Sequence, residues 1–137
     1  MMIMKRKIIY LMLMMFLLVG CDKKMDSNKT MTMIINNNTY VVELVDNNTV
    51  NELINHLPLE IEMTELNGNE KYAYFDFELK TSSYKPNHIN KGDVMLFGNN
   101  CLVLFYKSFD TSYSYTKIGH ISNLEDLNKD NIKVIIK

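Results

Sequence analysis

The sequence predicts a mainly β fold: a barrel or sandwich of short strands carrying two brief helices. Three observations predict it. Short apolar runs rich in β-branched residues recur along the chain, several alternating with polar residues. Turn signals separate them, at Asn36-Asn37-Asn38, Asn67-Gly68 and Gly98-Asn99-Asn100. Only two places carry a capping-box pattern, Thr49-Val50-Asn51-Glu52 and Ser122-Asn123-Leu124-Glu125, and each is followed by too little helical spacing for a long helix.

The first twenty residues stand apart from this pattern. Lys5, Arg6 and Lys7 precede an uncharged apolar run, residues 8–19. Such a run makes roughly 18 Å of helix, short of a ~30 Å hydrocarbon core but suited to a signal segment. It ends Leu18-Val19-Gly20-Cys21, which resembles the lipobox of bacterial lipoproteins. The resemblance implies cleavage before Cys21 and lipidation of its thiol, with acyl chains enough for stable anchoring. Residues 1–20 are then the signal, and 21–30 are the lipidated Cys and a polar tether. The expected place is the extracytoplasmic face of a cell membrane, held through the N-terminal lipid.

Residues 31–137 are expected to form the folded domain. Residues 31–35 and 40–45 read as a strand hairpin across the three Asn. The first capping box opens a helix with Val50, Leu53, Ile54 and Leu57 on one side, stopped by Pro58. Leu57, Leu59, Ile61 and Met63 alternate as a half-buried strand, and Asn67-Gly68 turns the chain. Phe75, Phe77 and Leu79 then predict a strand facing the core. Residues 80–92 read as a loop, 93–97 and 101–106 as a hairpin, and 108–116 as a second loop with three aromatics, Phe109, Tyr113 and Tyr115. A short strand at 117–121, the second helical turn at 122–125 and a final strand at 132–136 complete the chain.

Composition removes several functions. With 15 basic and 16 acidic residues the formal charge is −1, and loss of the signal makes it three units more negative, so no nucleic-acid partner is expected. His56, His88 and His120 are scattered, with no metal-ligand spacing, and neither metal nor other cofactor is expected. No Gly-x-Ser-x-Gly elbow or phosphate-cradling loop occurs. Cys101 lies in the apolar run Cys101-Leu102-Val103-Leu104-Phe105 and reads as a buried structural thiol.

Five features in order resemble the small bacterial cyclophilin-like domains. They are the first hairpin; a short helix ending His56-Leu57-Pro58-Leu59; Gly68-Asn69-Glu70; Lys91-Gly92-Asp93-Val94 leading to Cys101-Leu102-Val103-Leu104-Phe105-Tyr106; and Ile118-Gly119-His120-Ile121 before Leu124-Glu125-Asp126-Leu127. The resemblance implies a closed eight-stranded barrel with two short helices over residues 31–137. Cyclophilin catalysis relies on an Arg donor and a Gln, yet this sequence has no Gln and its only Arg is Arg6, inside the signal. No catalytic residue is therefore carried over. The expected role is a non-catalytic module binding an unknown small molecule or peptide. Its candidate residues are Glu70, Asp93, Phe97, Tyr106, His120, Tyr113 and Tyr115. The alternatives are a divergent prolyl isomerase or other enzyme using Glu70, Asp93 or His120, and a structural envelope role exerted through residues 108–116.

Overall fold

The computed structural model describes residues 29–137. The expected signal, Cys21 and most of the expected tether lie outside these residues. Among the described residues the strands are β1 (Thr30–Ile35), β2 (Asn38–Leu44), β3 (Leu59–Leu66), β4 (Glu70–Tyr74), β5 (His88–Ile89), β6 (Asp93–Phe97), β7 (Cys101–Phe105), β8 (Phe109–Asp110), β9 (Thr116–His120) and β10 (Ile132–Ile136), with one helix, α1 (Asn48–Ile54), between β2 and β3. Eight antiparallel strands close into a barrel in the order β1-β10-β3-β4-β7-β6-β9-β2, while β5 and β8 pair as a separate ribbon. Among the described residues no helix is long and apolar enough to cross a membrane.

Side-chain alternation builds two apolar layers from one sheet. Met33, Val42, Met63, Val94, Leu96, Leu102, Leu104, Ile118, Val134 and Ile136 are sealed from solvent and fill the barrel. On the other face of β6 and β7, Met95, Cys101, Val103 and Phe105 join Ile89 and Tyr115 in a second cluster. The segments 80–92 and 108–116 cover this outer wall, tied together by the β5–β8 ribbon and by the Tyr84–Tyr115 bridge. Both segments carry backbone pairing that the sequence reading assigned to loop.

The hairpins follow the turn residues. Asn36 and Asn37 adopt positive φ, 50° and 70°, and form the two-residue loop that pairs Ile35 with Asn38. Asn67 and Gly68, at 58° and 71°, turn β3 into β4. That turn puts Glu70, Tyr72 and Tyr74 on the outer wall, and Lys71 and Ala73 inside.

Three expectations are corrected. The strand expected at Phe75, Phe77 and Leu79 is not one; the ladder runs upstream, over β4. Phe75 and Leu79 are buried and Phe77 partly so, but the Phe75 and Leu79 amides donate to the Asn100 and Asn99 carbonyls, at 2.7 and 2.8 Å, instead of to a neighbouring strand. The segment crosses a barrel end, and His56 stacks on Phe77 at 3.6 Å between ring centroids. The second helix is absent, so the barrel carries a single one. Residues 122–131 form one turn at Ser122-Asn123 and then irregular backbone with a bend at Lys129-Asp130, and the Asn128 and Asp130 carbonyls accept from the buried Lys71 ammonium. Finally, Thr49 and Glu52 do not cap α1. Asn47 does, its side-chain oxygen accepting from the Val50 amide at 2.8 Å while its Nδ2 donates to the Lys117 carbonyl. Thr49 Oγ1 instead donates to the Lys80 carbonyl and Glu52 accepts from the Lys80 amide, so both staple the end-crossing segment to the helix.

Candidate functional site

The barrel interior is packed, and the concave site lies outside it. A groove of about 350 Å³ runs along the outer wall where β7 is flanked by β4 and β6. Register fixes its layout. Cys101 pairs with Tyr74 on one side and Phe97 on the other, and Val103 with Tyr72 and Met95. Cys101 and Val103 therefore make the floor, and Tyr72 and Tyr74 one wall. Phe97 with Tyr113 and Tyr115 of the covering segment makes the opposite wall. Leu66, Asn67 and Glu70, around the β3–β4 turn, close one end.

The aromatic rings brace one another. Tyr72 and Tyr74 meet edge to face at 5.9 Å, as do Phe97 and Tyr113 at 6.1 Å, and Tyr115 leans on Phe97 at 5.8 Å and Phe105 at 5.4 Å. Tyr115 is buried, whereas Tyr74, Tyr113 and Phe97 are 67, 63 and 44% exposed. Three large aromatic rings thus stand in water around one groove, the pattern of a recognition surface.

Among the described residues, Glu70 is the one carboxylate lining the groove, and no cation lines it. Burial lifts its pKa above the ordinary carboxylate value, and the negative charge of Glu65 adds to the shift. No ion pair among the described residues involves it. Burial, then the field of Glu70, pushes the Cys101 thiol up to about 11, with a Tyr74 hydrogen bond pulling the other way. The thiol is therefore protonated near neutrality and a poor nucleophile. Tyr115 rises to about 12 for the same two leading reasons, so its hydroxyl stays neutral.

The seven candidate residues divide into three places. Glu70, Phe97, Tyr113 and Tyr115 meet in the groove. Asp93 and His120 form a separate cluster: one Asp93 oxygen lies 2.9 Å from His120 Nδ1 and 3.2 Å from Lys117 Nζ, and the other accepts from the Asn90 amide at 2.9 Å. The last bond is the local turn contact expected of an Asp after Gly. Tyr106 is buried away from the groove. Its hydroxyl donates to Glu65 at 2.6 Å, and its pKa is raised to about 12, first by burial and then by Glu65. Tyr106 is thus part of a buried polar cluster and does not line the groove.

Sequence reasoning misses six groove residues: Leu66, Asn67, Cys101 and Val103, and the two wall aromatics Tyr72 and Tyr74. The alternation Glu70-Lys71-Tyr72-Ala73-Tyr74 is the signal that could have found the two aromatics. Among the described residues no three His, Cys, Asp or Glu side chains come together to hold a metal ion.

Comparison with curated proteins found no match. The solution structure of a hypothetical protein from Archaeoglobus fulgidus is similar to 83% of this chain and 97% of that one, at 17% identity and a TM-score of 0.49. The model of the cyclophilin-like family matches residues 33–137. That match takes in all eight barrel strands except the first three residues of β1, and with it the whole groove. The chain belongs to the cyclophilin-like family.

Proposed function

We propose that the chain is a lipid-anchored, extracytoplasmic binding module, tethered through Cys21, that takes a small ligand in the outer-wall groove and performs no chemistry on it. The groove carries this reading: exposed aromatic rings converge on an apolar floor with one half-buried carboxylate at the end. The groups available for catalysis argue the same way. The cyclophilin reaction uses an Arg and a Gln, and beyond residue 20 the sequence has neither. Lys does not reproduce the planar guanidinium fork. The groove thiol is held protonated by burial.

Two measurements test the proposal. The full chain in dodecyl maltoside micelles, screened by amide-resolved NMR against small aromatic molecules and Phe-, Tyr- or Pro-containing tetrapeptides, is expected to show shifts confined to the groove. Those shifts are lost in Tyr113→Ala, a side chain exposed enough that its removal leaves the fold intact. A panel that moves no groove amide overturns the binding role. Separately, cells fed radiolabelled palmitate are expected to label the wild-type chain and not Cys21→Ser. Equal labelling of both removes the anchor.

A further inference from the structure

We propose that the groove selects a small organic cation with an apolar body, its ammonium head held by Glu70 and the surrounding aromatic rings. The inference rests on the binding role proposed above and names the ligand class for the same site.

Charge complementarity argues for a cation. Among the described residues the groove lining holds one carboxylate and no positive side chain, so an anionic ligand meets repulsion at Glu70. A neutral ligand would cover Glu70 further from water and give nothing in return, and covering an unpaired charge is unfavourable. An ammonium group beside it supplies the missing partner.

The walls argue the same way. Tyr72, Tyr74, Phe97, Tyr113 and Tyr115 surround the space, and each ring carries a negative electrostatic face that attracts cations. Tyr115 and Cys101 both stay neutral, at about 12 and about 11, so among the described lining residues the charge is that of Glu70. Cys101 and Val103 on the floor leave the apolar body something to pack on. A metal ion is the poorer occupant, because one carboxylate beside a protonated thiol is an incomplete ligand set.

Three probes on one skeleton separate head-group charge from apolar packing: 3-phenylpropylammonium, 3-phenylpropanol and 3-phenylpropanoate. Each is titrated into the full chain in dodecyl maltoside and followed through the groove amides. Subtracting the same titration of Tyr113→Ala removes partitioning into the micelle. The ammonium is expected to bind at least about ten-fold more tightly than the alcohol, and the carboxylate more weakly than either. Glu70→Gln is expected to bring the ammonium down to the level of the alcohol without lowering Tm at pH 7, since the substitution removes a half-buried charge that lacks a partner. Equal binding of alcohol and ammonium, still sensitive to Tyr113→Ala, overturns the cation preference and leaves the binding role standing. Tighter binding of the carboxylate does the same. If none of the three binds, the cation proposal fails, and the wider small-molecule and peptide panel decides whether the binding role fails with it.

Discussion

Replacing Lys71 with Ala is expected to destabilise the barrel by about 3–5 kcal/mol, the range for removing one partner of a buried ion pair. Lys71 is fully buried on the inward face of β4, beside Ala73. Its ammonium has three donors, and all three are used: one to Glu65 at 2.9 Å, and one each to the Asn128 and Asp130 carbonyls at 2.5 Å. The Tyr106 ring lies 4.8 Å away and adds a cation–π contact. Truncation takes a partner from every one of these groups. Glu65 keeps its Tyr106 and Gly68 hydrogen bonds but loses its counter-charge, and the two carbonyls lose a donor that water cannot easily replace. The 122–131 segment then has less reason to stay docked. A thermal melt of the full chain followed by far-ultraviolet dichroism checks the loss, expected as a fall in Tm of more than about 10 °C. A loss near that of a surface lysine, under about 1 kcal/mol, is the opposing result.

The same cluster sets the acid limit of stability. Burial alone raises the Glu65 pKa, but hydrogen bonds from Tyr106, Lys71 and the Gly68 amide, with the charge of Lys71, outweigh it and hold the carboxyl below its ordinary value of 4.5. A carboxyl depressed in the folded state contributes stability above its unfolded pKa. That contribution fades as pH falls through the folded value. In Lys71→Ala two of those lowering influences are gone, so the acid-dependent part of the stability shrinks. Replacing Lys71 with Met and Glu65 with Leu together is expected to recover only part of the loss. The charge imbalance is removed, yet the Asn128 and Asp130 carbonyls still lack a donor.

That buried lysine marks where sequence reading stops. Alternation and turn residues made the hairpins legible, because each depends on neighbours a few positions apart: Asn36-Asn37 supply positive φ, and Met31, Met33 and Ile35 supply one apolar face. Nothing local distinguishes Lys71 from the other lysines. Its partners lie six, 57 and 59 residues away and appear only once the barrel has closed. The groove was half legible for a related reason. Phe75, Phe77 and Leu79 alternate in burial just as a strand does, but burial periodicity reports which side chains are covered and not which amides are paired. Reading a strand there hid the true ladder at Glu70–Tyr74, and with it the Tyr72–Tyr74 wall. Tyr106 went the other way. The cyclophilin-like resemblance made it a candidate ligand residue, whereas its hydroxyl is committed to Glu65.

Gly119→Ala is expected to cost about 3 kcal/mol, the upper end for an overpacked interior site, and to act at one seam of the barrel. Strands β2 and β9 close the barrel through two residue pairs, Glu43 with His120 and Leu44 with Gly119, against three to six at every other seam. At that seam the backbones approach so closely that a Cβ on Gly119 collides with the Glu43 carbonyl oxygen and lies 2.8 Å from Val42 Cγ1. The Val42 methyl can rotate, but the Glu43 oxygen is main chain and moves only if β2 moves. Relief therefore comes from parting the shortest ladder in the barrel. Gly98→Ala is the control: an added Cβ there meets nothing within 4 Å, leaving only the strain of a φ of +63°, about 1–2 kcal/mol. Hydrogen exchange distinguishes seam opening from uniform destabilisation. In Gly119→Ala the Val45 amide, which donates across the seam to the Ile118 carbonyl, is expected to lose protection well before amides of the β4–β7 ladder under the groove. If all of them lose protection together, the barrel opens as one unit and the seam is not its weak point. If Val45 goes first, the barrel can part at β2–β9 while the β4–β7–β6 wall keeps its ladder, so Gly119→Ala should still bind 3-phenylpropylammonium with wild-type affinity below its melting temperature.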